Sequence, residues 1–117
     1  MRRILLVEDY LPHARLIGWD LAEAGYDVST RPTGEAALAE FETLTPNLIL
    51  LDWQLPGQSG VDICRQLRAN GFTGPIVFVT AMAGTEHRQV GLAAGANDYV
   101  TKPFSPETLM GTIAQYL

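Results

Sequence analysis

The sequence predicts an α/β fold: one doubly wound, five-stranded parallel sheet with helices on both faces. Three observations carry this. Stretches of β type and helical type alternate five times along the chain. The segments between β stretches are long enough for crossover helices, as parallel pairing requires. The first, third and fourth β stretches are apolar throughout, as strands covered on both faces are. At 117 residues and 47% hydrophobic, residues 1–117 are expected to form a single domain around one core.

The strands are read as "RILLV" (3–7), "YDVST" (26–30), "NLILL" (47–51), "PIVFV" (75–79) and "DYV" (98–100). The second alternates and the fifth is short, so those two belong at the sheet edges. In the first helix, Pro12 suits the opening turn. Ala14, Ile17, Leu21 and Ala24 recur on one face before Gly25 ends it. Ser59 and Asp62 have capping-box spacing ahead of a third helix that stops at Gly71. Ser105, Pro106 and Glu107 open the last helix, with Leu109, Met110, Ile113 and Leu117 as its apolar stripe.

The third strand raises a question of its own. Leu48 to Leu51 run straight into Asp52, and a carboxylate at the end of a buried strand is costly unless something compensates it. In a parallel sheet the residues just past each strand's carboxyl end share one rim, where open α/β sheets bind ligands. Glu8, Asp9, Asp52, Thr80 with Ala81, and Thr101 to Pro103 all fall there. Three carboxylates raise one another's pKa unless a cation intervenes. Mg²⁺ fits, because it accepts one or two carboxylates, a backbone carbonyl, retained waters and a phosphate oxygen. Thr80 and Lys102 remain for an anion's other oxygens. Lys102 is the sole lysine in a chain that otherwise uses arginine, and a compact, movable ammonium suits a phosphoryl oxygen. His13 and His87 fall on helices, away from the rim, so no general base for water is evident and both are read as solvated. That leaves Asp52 as the nucleophile, since carboxylates form aspartyl phosphates.

Composition closes off other classes. A net charge of −5 with no basic run is no footprint for nucleic acid or an anionic membrane surface. Cys64 is the only cysteine, so it forms no internal disulfide and reads as a small core filler. The N-terminal apolar run is too short for a signal peptide or membrane span. The expected setting is the cytoplasm.

"LLVEDY", "LILLDWQLPGQSG", "VFVTA" and "GANDYVTKPF", in that order, make the whole chain resemble the receiver domain of two-component response regulators. Its tail "GANDYVTKPFSPETL" is most similar to receivers of winged-helix transcriptional regulators. The resemblance implies a flavodoxin-like (βα)5 fold with strand order 2-1-3-4-5. It implies that Asp52 accepts a phosphoryl group from a sensor histidine kinase or phosphotransfer protein, in a Mg²⁺-dependent step. Asp9 and Asp52 would bind the metal, Glu8 largely through water, and Gln54 through its backbone carbonyl. Lys102 would pair with the phosphoryl group, aimed by a cis peptide before Pro103. Thr80 and Tyr99 would act as switch residues, changing the face of helix four, strand five and helix five toward an output domain or downstream protein.

Some positions depart from the family pattern. Gln54 and Met82 occupy variable positions that govern water's access to the phosphoryl group. Ala93, Asn97 and Thr112 stand where winged-helix relatives carry dimer-forming charges, leaving Arg88 and Asp98 as a poor ladder. A pseudo-receiver acting only as an interaction module should lack an acid, the acceptor or the lysine, and none is missing. An aspartate-nucleophile phosphatase would want an acid at Gln54 and a cap domain. The chain is therefore read as a signalling switch, not a stand-alone enzyme. Trp53 is expected to leave the strand on the opposite face from Asp52 and to pack beside the site.

Overall fold

The computed structural model describes residues 2–117. Five strands and five helices alternate: β1 (Arg3–Val7), α1 (Leu11–Glu23), β2 (Asp27–Arg31), α2 (Gly34–Leu44), β3 (Leu48–Leu51), α3 (Gly60–Ala69), β4 (Ile76–Thr80), α4 (Thr85–Ala93), β5 (Asp98–Thr101) and α5 (Pro106–Ala114). The strands form one sheet in the order β2-β1-β3-β4-β5, every pair parallel. The edges are β2 and β5, as their patterns predict.

Side chains alternate across a strand, and here they divide the core in two. Leu5, Val7, Ile49, Leu51, Ile76 and Phe78 face one side, with Phe41 of α2 and Ile63, Cys64 and Leu67 of α3. Ile4, Leu6, Leu48, Leu50, Val77 and Val79 face the other, against Ile17 and Leu21 of α1 and Leu109 and Ile113 of α5. The fully apolar runs are what a strand needs when both faces meet a helix.

Local chemistry ends the elements close to where the pattern predicts. Gly25 takes φ +94 after α1 and Gly71 takes φ +95 after α3, backbone that a side chain would strain. Ala24 is a correction: it is exposed as the C-cap of α1 rather than on the buried stripe. Ser59 accepts a hydrogen bond from the Asp62 amide at 3.3 Å, but only half the capping box forms. The Asp62 carboxylate instead takes Arg65 at 3.3 Å. Ser105 caps α5 through the Thr108 amide at 3.2 Å. Strand β4 starts one residue later than expected because Pro75 has no N–H; its carbonyl still accepts from the Ile49 amide at 3.0 Å.

Candidate functional site

Parallel pairing aligns the strand ends into the rim. The Asp52 amide donates to Val7 at 3.1 Å and the Lys102 amide to Thr80 at 2.8 Å, so each site residue is one step past a ladder that holds it in register. Glycine completes the loop that follows Asp52. Gly60 opens α3 with its amide on the Trp53 carbonyl at 2.7 Å. A Cβ there would run into the Asp52 carbonyl oxygen and the Trp53 Cα, so only glycine lets the helix approach this closely.

Lys102 is the centre of the charged cluster. Its ammonium donates to Glu8 Oε1 and, at 3.0 Å, to Asp52 Oδ2. Glu8 and Asp52 are both buried, at 3% and 7% exposure, so these are the two carboxylates that need compensation. Further donors are backbone amides: Gln54 to Asp52 Oδ1 at 3.1 Å and Tyr10 to Glu8 Oε2 at 3.2 Å. Among the described residues no buried side-chain nitrogen or oxygen lacks a partner.

The fields follow from this packing. Burial pushes the Glu8 carboxyl above its ordinary range and the Asp52 charge adds to that, while Lys102 pulls the other way. For Lys102 burial opposes the charge, yet the bonds and charges of Glu8 and Asp52 together outweigh it and hold the ammonium protonated above its usual range. Burial, then the charge of Asp52, raises the Tyr99 phenol.

The other rim residues lie in different settings. Thr80 is fully buried, with its hydroxyl accepting from the Met82 amide at 3.2 Å. Tyr99 is also buried, its hydroxyl donating to the Met82 carbonyl, so both candidate switch residues grip the loop between β4 and α4. The Lys102–Pro103 peptide is cis. Asp9 and the Gln54 side chain are exposed. Asp9 does not cap α1: the N-cap is Tyr10, and Glu8 takes its amide instead.

Both histidines correct the reading from sequence. His13 is on the rim, with Nδ1 3.2 Å from the Lys102 ammonium and 3.9 Å from Glu8 Oε1. His87 is not simply solvated. Its ring stands edge-on to Trp53 at 5.2 Å and its Nδ1 lies 2.7 Å from the Ala83 carbonyl. Trp53 packs where expected, beside the site on Phe78 and Tyr99 at 5.9 and 6.4 Å. Arg68, which had no motif to mark it, binds the carbonyls of Gly95, Phe72 and Gly74 and the side chain of Asn97.

The donor set suits a hydrated hard cation. Among the described residues no three His, Cys, Asp or Glu side chains gather tightly enough to cage a metal. The buried Glu8 and Asp52 carboxylates, with the exposed Asp9 next to Glu8 in the chain, are instead the few hard oxygen donors that Mg²⁺ takes when it keeps its waters. The residues present fit that ion.

Fold and site together define a doubly wound domain whose ligand rim carries a buried acidic pair and one lysine. The sequence profile of the response regulator receiver domain matches residues 4–114, and the chain belongs to that family. It is 40% identical over 116 residues to the alkaline phosphatase synthesis transcriptional regulatory protein PhoP of Bacillus subtilis, a match spanning 99% of this chain and 48% of that protein. It is 41% identical over 117 residues to the sensory transduction protein RegX3 of Mycobacterium tuberculosis, spanning 100% and 51%. The chain thus covers about half the length of these curated relatives. Among solved structures, the BeF3-activated receiver domain of Klebsiella pneumoniae RstA superposes with a TM-score of 0.94 at 33% identity, covering 98% of this chain and 97% of that one. Vibrio cholerae chemotaxis protein CheY4 gives 0.94 at 31%, covering 100% and 99%. No helix of the described residues is long and apolar enough to cross a membrane.

Proposed function

We propose that residues 1–117 act as a phosphorylation-dependent switch in which Asp52 is the acceptor. The observation that supports it is the placement of Lys102 between Glu8 and Asp52, with Asp52 held at the end of β3 by backbone amides. An Asp52 carboxylate oxygen attacks phosphorus, the P–N bond of a phosphohistidine breaks with its electron pair going to nitrogen, and the imidazole, carrying a proton on its other ring nitrogen, leaves neutral. The donor is a sensor histidine kinase or phosphotransfer protein. Asp9, Asp52 and the Gln54 carbonyl would hold Mg²⁺, with Glu8 acting through water. When bound there, the ion would supply charge neutralisation for the phosphoryl oxygens.

Lys102 pairs with a phosphoryl oxygen once Asp52 is phosphorylated. Thr80 turns toward the same group, and its amide partner Met82 links that movement to Tyr99 through the loop. The face of α4, β5 and α5 then changes, which is a local charge biasing a two-state element. The readout is an output domain or a downstream protein, in the cytoplasm, with transcription the output suggested by the relatives' names. This chain itself contacts neither nucleic acid nor membrane, and its only catalysis is its own phosphorylation and dephosphorylation.

Intact mass after incubation with acetyl phosphate tests the proposal. One phosphoryl adduct is expected that requires Mg²⁺ and is absent in Asp52→Asn. No adduct, with beryllofluoride also failing to bind, would instead make the chain an interaction module without switching chemistry.

A further inference from the structure

We infer that His13 is a positioning residue for Lys102, fixing the ammonium over the acceptor through a neutral nitrogen; this rests on the phosphoacceptor reading of Asp52. An ammonium has three N–H groups and no acceptor. Lys102 has one partner for each: Glu8 Oε1, Asp52 Oδ2 at 3.0 Å and His13 Nδ1 at 3.2 Å. Because lysine only donates, Nδ1 accepts, and the ring proton sits on Nε2. The ring is itself oriented, standing edge-to-face with Tyr10 at 4.6 Å and 87°.

The three partners come from different parts of the chain. Glu8 follows β1, Asp52 follows β3, and His13 is in the first turn of α1. When Asp52 gains a phosphoryl group, the Asp52 partner of Lys102 gives way to a phosphoryl oxygen. Glu8 and His13 are then what aim the lysine. His13 does so without adding charge to a pocket that already holds two carboxylates. With His13 truncated, the third N–H turns to water and the long side chain regains rotamers, so orientation is lost while the net charge stays the same.

The test follows the rate of adduct formation with acetyl phosphate at saturating Mg²⁺. In that step an Asp52 oxygen bonds to phosphorus and acetate leaves with the electron pair of the broken P–O bond. His13→Ala is expected to slow it on the order of tenfold, since reacting groups held in place lose rate steeply when they drift. His13→Asn puts an oxygen acceptor near the position of Nδ1 and is expected to recover most of the rate. His13→Gln, which reaches toward the Nε2 position, is not. Urea midpoints should stay close to the parent protein's, because His13 is half exposed. An Ala variant within about twofold of the parent, or an Asn variant as slow as Ala, overturns the inference. No adduct on the parent protein overturns the phosphoacceptor reading, and this inference with it.

Discussion

Helices α3 and α4 pack on the same side of the sheet, one after the other in the chain, but they are anchored very differently. Helix α3 buries Gly60, Val61, Ile63, Cys64 and Leu67, and Ser59 caps its first turn. Helix α4 buries only Gly91, and its N-cap is Gly84 at φ +103 with no side-chain cap. Burial and capping are what hold a helix whose own propensity is marginal, so the two should open with very different free energies. The loop that follows Asp52 is joined to the firm helix, whereas Thr80 leads into the soft one and Tyr99 packs against it. The proposed switch would use that division, with Asp52 held still while the α4 face moves.

Matched glycine substitutions should separate the helices most clearly. In Gly60→Ala the new methyl meets the Asp52 backbone, which cannot yield, and a loss of about 3 kcal/mol is expected by urea unfolding. In Gly91→Ala the methyl meets the Phe78 and Tyr99 rings at 3.1 Å, which can shift by tenths of an ångström. A loss of about 1 kcal/mol or less is expected there, with faster amide exchange confined to α4. Equal losses would mean that α4 is as firmly seated as α3.

Arginines give the next contrast. Arg68 of α3 ties four groups together, at 2.6 to 3.0 Å, and lies over the Phe72 ring. Arg68→Ala should cost about 2 kcal/mol, and Arg68→Lys should recover little of it because an ammonium lacks the planar fork. Arg88 of α4 reaches Asp98 at 3.4 Å and the Tyr99 carbonyl at 3.1 Å, but its side chain is half exposed. Arg88→Ala should cost roughly 0.5 kcal/mol. A larger loss at Arg88 than at Arg68 would reverse the ranking.

The smallest effect is a pH slope. The Tyr99 phenol is raised by burial and by Asp52, so the folded state holds its proton more tightly than the unfolded chain does. Its contribution is complete below the unfolded pKa, near 10, and is lost as pH rises through the folded value. Lys102, also raised, loses its contribution above 10.5. Tyr99→Phe should therefore flatten, without abolishing, the fall in urea midpoint above about pH 10. An unchanged slope would show that Tyr99 opens to solvent before it ionises.

Much of this was legible in the chain, since strand and helix periods are local properties. Apolar runs at Leu48–Leu51 and Ile76–Val79 demand cover on both faces, and Gly25, Gly71, Ser59 and Ser105 mark ends by backbone rules that act within a few residues. Parallel order then brings Glu8, Asp52, Thr80 and Lys102 to one rim, because strand ends share an edge. Only the tertiary structure decided which side chains meet across it. His13 and Lys102 are 89 residues apart, and nothing in the spacing around His13 shows that α1 turns its imidazole toward the end of β5. The grip of Arg68 on the turn before β5, and the edge-on packing of His87 on Trp53, are of the same kind. Long side chains reach their partners through the angles at which helices settle on the sheet. Those angles come from packing the whole core, which no local pattern encodes.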